Sequence, residues 1–277
     1  MSLLHSILLG IIQGVTEFLP VSSSGHLAIA EHLLGMEGAS EIPEFFDVLL
    51  HLGTLFAVFV AYWHEICDIV AEFFRGCGDL IHHTTPDRVP PARRMILLII
   101  VGTLPLFLVL PIKDRVESLA DNMWFVGGAL LFTGCMLFLC DRVRKGRKTE
   151  KSASLLDVLI VGAAQAVATC PGISRSGMTI TTGCFRGFER SFAVRYSFLM
   201  SIPAILGANL LAVKDAAEAG IVWSDVPVYL VGVAVSALVG YACIRLLRFI
   251  ASKGRFGVFA YYCWAAGALV LLLTALR

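Results

Sequence analysis

Long apolar runs separated by shorter polar segments recur along this chain of 277 residues. A helix needs about 20 predominantly apolar residues, a few more or fewer, to cross the hydrocarbon core of a bilayer. Six runs approach or reach that length: Phe46–Tyr62, Met95–Pro111, Trp124–Cys140, Phe192–Val213, Val226–Ile250 and Val258–Leu276. The pattern predicts an all-α integral membrane protein built as a polytopic helical bundle.

Two further apolar segments carry helix-breaking and hydroxyl residues in their middle. The breaks are Pro20 with the run 22–25 (Ser-Ser-Ser-Gly) in residues 3–30, and Pro171 with the run 174–177 (Ser-Arg-Ser-Gly) in residues 155–184. Proline interrupts a helix because it lacks an N–H and its ring clashes with the preceding turn. We expect both segments to be re-entrant hairpins, whose two half-helices enter the membrane and return on the same side.

Composition agrees with a membrane protein. Hydrophobic residues make up 57% of the chain and charged residues only 16%, with a mean hydropathy of +0.81. A soluble domain carries roughly 25% charged residues. We also expect no cleaved signal peptide, because no basic residue precedes Arg75.

The distribution of positive charge predicts the topology. With two re-entrant hairpins, 17 Lys and Arg residues fall in loops on one side of the membrane and 4 on the other. The basic loops are 64–94, 141–151, 186–195 and 245–255, and the other side holds 31–45, 112–123, 214–226 and the C-terminus. The positive-inside rule places the basic loops in the cytoplasm and both termini outside.

The two hairpins resemble each other at a constant offset of 152 residues. Gly10, Gln13 and Gly25 recur as Gly162, Gln165 and Gly177, whereas the prolines slip by one position. By the charge count the first hairpin enters from outside and the second from the cytoplasm. We therefore predict a single transmembrane domain, 1–277, made of inverted-topology repeats at about 1–140 and 152–277. Such repeats place a polar site near the midplane, where the broken helices meet.

The residues at the two breaks suit an anionic ligand. The start of a half-helix exposes backbone N–H groups, and the helix dipole there favours negative charge. Hydroxyl groups add further phosphate ligands, and they come from Ser22, Ser23, Ser24, Ser174, Ser176 and Thr179. Arg175 adds a planar fork of donors. A charge at that depth costs at least about 2.5 kcal/mol on insertion scales, so we expect Arg175 to be functional; the alternative is a structural pair with Glu17.

Glu17 and His26 are the candidate acid–base groups. Gln13 and Glu17 are four residues apart and share one helix face, one turn before the Ser run. A carboxylate beside a phosphate acts as a base, is protonated by burial, or shares a divalent cation with the phosphate. His26 begins the second half-helix and is a candidate nucleophile or general acid–base group. We assign no role to His51, His64, His82 or His83, and no disulfide or zinc site to the eight cysteines.

Residues 13–26, Gln-Gly-Val-Thr-Glu-Phe-Leu-Pro-Val-Ser-Ser-Ser-Gly-His, resemble the first motif of the undecaprenyl-diphosphatase family, also known as the bacitracin-resistance proteins. Residues 171–179, Pro-Gly-Ile-Ser-Arg-Ser-Gly-Met-Thr, resemble its second motif, Pro-Gly-x-Ser-Arg-Ser-x-x-Thr. The resemblance extends over the whole chain in length, segment count and motif spacing. It departs at Gln13, where other members carry Glu, and this leaves the carboxylate chemistry to Glu17.

The resemblance implies hydrolysis of undecaprenyl diphosphate to the monophosphate at the outer face of the bacterial cytoplasmic (inner) membrane, which recycles the carrier lipid for peptidoglycan synthesis. It also implies a divalent cation, Mg²⁺ or Ca²⁺, for which Glu17 is the candidate ligand. Glu17, Ser23, His26 and Arg175 match the family's essential residues. The predicted substrate-binding residues, of which Ser174 and Thr179 match its phosphate-contacting positions, are Gln13, Ser22, Ser24, Ser174, Ser176 and Thr179.

Three points stay open from sequence alone. Either Ser23 or His26 is the nucleophile, or one of them activates a water while Glu17 orients the His or holds the metal. Inverted repeats with a midplane anion site are also typical of secondary transporters, so a carrier or flippase for polyprenyl phosphate or a small anion is the alternative. We expect the lipid and the bilayer as partners, and no nucleic acid; a homodimer is left open.

Overall fold

The computed structural model describes residues 1–33, 44–83, 89–219 and 223–276, and all regular elements in these ranges are helices. The α-helices are α1 (Leu3–Phe18), α2 (Ser23–Leu33), α3 (Glu44–Ala61), α4 (Trp63–Ile81), α5 (Pro91–Thr103), α6 (Lys113–Glu117), α7 (Met123–Arg142), α8 (Leu155–Val167), α9 (Arg175–Phe185), α10 (Arg190–Ala219), α11 (Val226–Lys253) and α12 (Gly257–Ala275). Short 3-10 helices occur at Leu104–Leu108, Leu110–Ile112, Ser118–Asp121 and Trp223–Asp225.

The long apolar helices confirm a multi-pass membrane protein. Within the described ranges, five helices are long and apolar enough to cross a membrane, or six when the bent pair of α3 and α4 is counted as one. All six apolar runs of the sequence coincide with helices: α3, the stretch formed by α5 and the 3-10 turns after it, α7, α10, α11 and α12. The predicted all-α bundle is therefore confirmed.

The first basic connection, 64–94, contains a helix, because residues 63–81 form α4. α4 meets α3 at 86°. Its Ile66 is buried in the core, whereas Phe73 and Phe74 are exposed. A helix that turns sharply away from a spanning segment and exposes apolar side chains suits the membrane–water interface. The connection on the basic side thus includes a helix, and its place outside the membrane core stays a prediction.

Parts of three predicted loops lie outside the described residues. These parts are 34–43 in the loop 31–45, 84–88 in the loop 64–94, and 220–222 in the loop 214–226.

The two hairpins match at the start of the first half-helix and at both ends of the second. α1 begins at Leu3 and α8 at Leu155, and residues 23–33 of α2 correspond to residues 175–185 of α9 at the offset of 152. Ser2 and Ser154 cap the first half-helices in the same way, since each side chain accepts a hydrogen bond from the backbone N–H three residues later. The residues that the sequence repeat aligns thus have equivalent places in the structure.

Glycines at equivalent positions bring each hairpin close to a long helix. α1 packs along α11 and α8 along α5. A Cβ atom on Gly10 would come within 2.6 Å of the Gly232 carbonyl oxygen, and one on Gly162 would overlap the Gly102 carbonyl oxygen. Across the two halves, α3 packs on α10 and α7 on α12. The halves therefore use corresponding contacts; their inversion relative to the membrane stays a prediction.

The breaks of the two hairpins touch inside the bundle. A Cβ atom on Gly25 would lie 2.9 Å from the Gly172 Cα, so these two backbones are in direct contact. Ser176 Oγ lies 3.4 Å from the Leu19 carbonyl oxygen, which links α9 to the end of α1. The polar residues of both breaks are consequently gathered at one place.

Candidate active site

The two second half-helices present their N-termini to this meeting point. Ser22 Oγ accepts a hydrogen bond of 3.3 Å from the Gly25 N–H, and Ser174 Oγ accepts one of 3.0 Å from the Gly177 N–H. Both capping serines are buried. Ser22 adopts a φ of 75°, a strained left-handed conformation for a residue other than glycine, and such strain is concentrated at functional sites. Two helix dipoles thus favour an anion between them.

The Glu17 carboxylate lies at the centre of the cluster and is only 6% exposed. Its Oε1 atom accepts a hydrogen bond from Arg175 Nη2 and forms an ion pair with it. Its Oε2 atom accepts hydrogen bonds from Ser23 Oγ at 2.8 Å and from Gln13 Nε2 at 3.2 Å. His51 Nε2 lies 3.9 Å from the same oxygen. The structure therefore brings together four of the predicted site residues, from both hairpins, around one carboxylate.

Arg175 has donors left for a ligand. It is the first residue of α9, and its Nη2 atom is used by Glu17. Among the described residues no hydrogen-bond partner reaches its Nη1 atom. A guanidinium that keeps free N–H groups beside two helix N-termini can hold a phosphate by charge-assisted hydrogen bonds. Arg175 is thus paired with Glu17, as the structural alternative held, and is also equipped to bind an anion.

His26 is oriented by Ser22 and Tyr262. Its Nδ1 atom lies 2.7 Å from the Ser22 carbonyl oxygen, and its Nε2 atom lies 2.8 Å from the Tyr262 hydroxyl. The two rings are stacked, with centroids 5.6 Å apart. The hypothesis that Glu17 orients His26 is not supported, because both ring nitrogens already have these other partners.

The remaining hydroxyl groups of the first break lie at its rim. Ser24 is exposed, and its Oγ atom is 3.5 Å from Ser22 Oγ. Ser23 is half-buried. Of the three serines, Ser23 is the one whose hydroxyl hydrogen-bonds to the carboxylate of Glu17.

The hydroxyl groups of the second break are more deeply placed. Ser176 is buried, with its Oγ atom 3.3 Å from Ser174 Oγ. Thr179 donates to the Arg175 carbonyl oxygen at 2.9 Å, and its Oγ1 atom lies 2.6 Å from Ser197 Oγ. Thr179 thus joins α9 to α10, and its recorded contacts do not include Glu17 or Ser23. Phosphate contact by these residues stays a prediction.

His51 and Tyr262 are the residues that the sequence reasoning missed. His51 was assigned no role from the sequence, yet from α3 its Nε2 atom lies 3.9 Å from the buried Glu17 carboxylate. Its signal was present: a titratable side chain inside a predicted span is by default a functional candidate. Tyr262 gave no such signal, because its contact joins residues 236 positions apart in sequence.

The donor set does not fit a divalent cation held by the protein alone. Mg²⁺ and Ca²⁺ take six or more oxygen ligands, usually with several carboxylates or waters. The described residues contain no cluster of three His, Cys, Asp or Glu side chains placed to hold a metal. Glu17 supplies one carboxylate, and both of its oxygens already accept hydrogen bonds from Arg175, Ser23 and Gln13.

The arrangement can support nucleophilic attack on a phosphoryl group. Ser23 Oγ–H donates to a buried carboxylate, which is how a nucleophile is paired with its base. Arg175 and two helix N-termini lie beside this pair and can stabilise negative charge that develops on phosphate oxygens. The site thus offers a candidate nucleophile, a candidate base and a candidate electrophilic clamp.

Comparisons with known proteins point to one family. The family described as bacitracin resistance protein BacA matches residues 6–269. A curated relative from Alkaliphilus metalliredigens, called undecaprenyl-diphosphatase, is 42% identical over 281 residues and covers 100% of both chains. Relatives of the same name from Methanosphaera stadtmanae and Halothermothrix orenii are 40% and 39% identical, with at least 99% of each chain covered.

Proposed function

Because the chain belongs to the bacitracin resistance protein BacA family, we propose that it hydrolyses undecaprenyl diphosphate to undecaprenyl phosphate and inorganic phosphate. The observation that carries this proposal is the Ser23 hydroxyl on the buried Glu17 carboxylate, beside Arg175. The relatives' shared name gives the substrate. A binding site for transport alone needs the anion clamp but has no use for a hydroxyl paired with a base.

Ser23 is the nucleophile in the proposed mechanism. Arg175 and the N–H groups at the starts of α2 and α9 hold the diphosphate. Ser23 Oγ attacks the terminal phosphorus, and its proton passes to Glu17 Oε2. The bond from that phosphorus to the bridging oxygen breaks, and undecaprenyl phosphate leaves. Glu17 releases the serine proton to solvent. A water then attacks the phosphoserine and passes a proton to Glu17 Oε2, and Ser23 Oγ takes that proton as inorganic phosphate leaves.

His26 serves the leaving group in this scheme. It lies three residues after Ser23 on the same half-helix, and the Ser22 carbonyl fixes its ring through Nδ1. With its Nδ1–H donating to that carbonyl, the imidazolium form of His26 carries its other proton on Nε2 and gives it to the bridging oxygen as undecaprenyl phosphate leaves. Nε2 regains a proton from solvent, which has received the serine proton from Glu17. This role separates His26 from the nucleophile–base pair of Ser23 and Glu17.

The site faces outside in the proposed topology, and the membrane is the bacterial cytoplasmic membrane. The support is the excess of Lys and Arg in the four connections assigned to the cytoplasm. Hydrolysis at the outer face would return the carrier lipid to peptidoglycan synthesis. A divalent cation, Mg²⁺ or Ca²⁺, would arrive on the diphosphate oxygens, since the protein offers one carboxylate.

The direct test is phosphate release from undecaprenyl diphosphate by the purified protein in detergent with Mg²⁺ or Ca²⁺, with Arg175→Lys as the diagnostic variant. Lys keeps the charge but loses the planar fork, so we expect kcat/KM to fall by about 100-fold or more. A folded parent protein that binds the lipid and releases no phosphate would contradict the proposal and favour the transporter.

Trapping the reaction intermediate identifies the nucleophile. A phosphoserine is stable in acid and labile in base, whereas a phosphohistidine shows the reverse. We expect an acid-stable adduct in the parent and none in Ser23→Ala. An acid-labile adduct would assign the attack to His26, and the absence of any adduct in a single turnover would assign it to water.

A further inference from the structure

His51 connects the buried Glu17 to the polar start of α3. Its Nε2 atom faces Glu17 Oε2 at 3.9 Å, and its Nδ1 atom lies 3.0 Å from the Asp47 carbonyl oxygen and 3.6 Å from an Asp47 carboxylate oxygen. The exposed fraction of the side chains rises along this line, from 4% for Glu17 through 27% for His51 to 44% for Asp47. The imidazole therefore lies between the buried base and the exterior.

We infer that His51 is a positioning residue for Glu17, which takes up the proton that Glu17 receives and passes it toward Asp47 and water. This inference rests on the proposed hydrolysis. It concerns a residue outside the two hairpins.

The tautomer follows from the backbone contact. The Asp47 carbonyl oxygen can only accept, so His51 Nδ1 carries the hydrogen that lies between them. The neutral ring then has a bare Nε2, and this atom faces Glu17. At 3.9 Å the two groups are beyond direct hydrogen-bond length, so transfer takes place when they approach or through one water.

The charges around His51 suit a group that gains and loses a proton. Asp47 from its own helix and Glu17 from α1 stabilise the imidazolium, and Arg175 from α9 opposes it. α11 contributes the neutral Ser236, which donates to the Leu50 carbonyl oxygen in the adjoining turn. His51 thus faces two carboxylates and one guanidinium.

Gln13 makes a second proton carrier necessary in this chain. The amide at position 13 donates to Glu17 Oε2 but cannot accept a proton at neutral pH. After Ser23 attacks, Glu17 is protonated and must lose that proton before it can act as base toward water. In the proposed sequence the proton moves from Oε2 to Nε2, and Nδ1 releases its own proton toward the Asp47 carboxylate and solvent.

His51→Gln tests the role of this residue, and His64→Gln, an exposed position on α4, is the matched control. We expect kcat of His51→Gln to fall by about 100-fold, the lower end of what an acid–base group contributes, with KM changed less than about threefold. Phosphoserine should accumulate, because the second step needs ionised Glu17. The limb of the kcat–pH profile that reports His51 should disappear.

The outcomes separate the inference from the proposed function. If the parent hydrolyses the lipid and His51→Gln keeps its rate and pH profile, the inference is wrong and the proposed function stands. If the parent itself is inactive, the proposed function fails first. If His51→Gln does not fold, Asp47→Asn provides the second test: a smaller loss of kcat with the same phosphoserine build-up supports the relay, and an unchanged rate and profile contradicts it.

Discussion

The two hairpins share one backbone design and carry opposite chemistry. Their second half-helices begin 152 residues apart and are capped by serines that bond in the same way, Ser22 and Ser174. At the next position the first hairpin has Ser23 and the second has Arg175. The two copies thus share one capped half-helix start, and the proposed mechanism divides the side-chain roles between a nucleophile in the first and a clamp in the second.

The difference extends to the first half-helices. The first hairpin has Glu17 where the second has Thr169, which is exposed and donates to its own helix at the Ala166 carbonyl oxygen. At the entrance to each hairpin the pattern reverses: His5 of the first corresponds to Asp157 of the second, which is fully buried. The first hairpin therefore buries its carboxylate at the break between its half-helices, on the Ser23 hydroxyl, and the second buries it at the start of its first half-helix, between Lys148 and Arg186.

The largest expected effect comes from Glu17, the carboxylate at the break of the first hairpin. Glu17→Gln removes the base and the partner of Arg175 together, so we expect kcat to fall by about 10³-fold or more. Thr169→Val, the equivalent change in the second hairpin, should leave kcat within about threefold. Phosphate release measured on both variants at matched folded protein checks the pair. A large loss in Thr169→Val would show that the two breaks share the chemistry.

The sequence predicted the fold and the residues at the two breaks better than it predicted the residues from other helices that contact them. The length of the apolar runs identified the spans, and the repeat aligned Ser23 with Arg175. Both signals can be read from short continuous stretches of sequence, without knowledge of contacts between helices. The excess of basic residues in 64–94 predicted a connection between spans and carried no information on whether it is helical, as α4 is. His51 and Tyr262 reach the site through contacts between distant helices, and no spacing in one sequence reports such contacts.

Asp157, the buried carboxylate at the start of the second hairpin, should affect stability more than catalysis. Asp157 accepts hydrogen bonds from Lys148 Nζ at 2.7 Å and Arg186 Nε at 2.9 Å, and from the Ser154 N–H at 3.0 Å. Asp157→Asn leaves two cations without their shared anion, and breaking a buried pair costs about 3–5 kcal/mol. Lys148 and Arg186 are partly exposed, and water reduces the cost of leaving them unpaired. We therefore expect the free energy of unfolding to fall by an amount near the lower end of this range.

Thermal unfolding in detergent measures that loss, and His5→Asn at the equivalent position is the control. His5→Asn should change the free energy of unfolding by no more than about 0.5 kcal/mol, as substitutions away from buried ion pairs usually do. The specific activity of the Asp157→Asn molecules that remain folded should be nearly unchanged. Equal destabilisation by both variants would mean that His5 and Asp157 stabilise the starts of their hairpins to the same extent.

The smallest effect concerns the buried amide side chain that both copies retain, Gln13 and Gln165. Gln13 donates to Glu17, whereas neither amide atom of Gln165 has a partner among the described residues. Gln165→Met removes an unsatisfied polar group, which costs about 1–3 kcal/mol when buried, so stability should stay level or rise.

Gln13→Met removes a hydrogen-bond donor from Glu17 and should lower kcat by about tenfold, the effect of one hydrogen bond to a charged group. A fall in stability for Gln165→Met would reveal that its amide is bonded in the membrane, and a fall in activity alone would make Gln165 part of the site. The expected contrast, a gain in one hairpin and a loss in the other, would show that selection has kept the same residue for catalysis in one copy and has not used it for catalysis in the other.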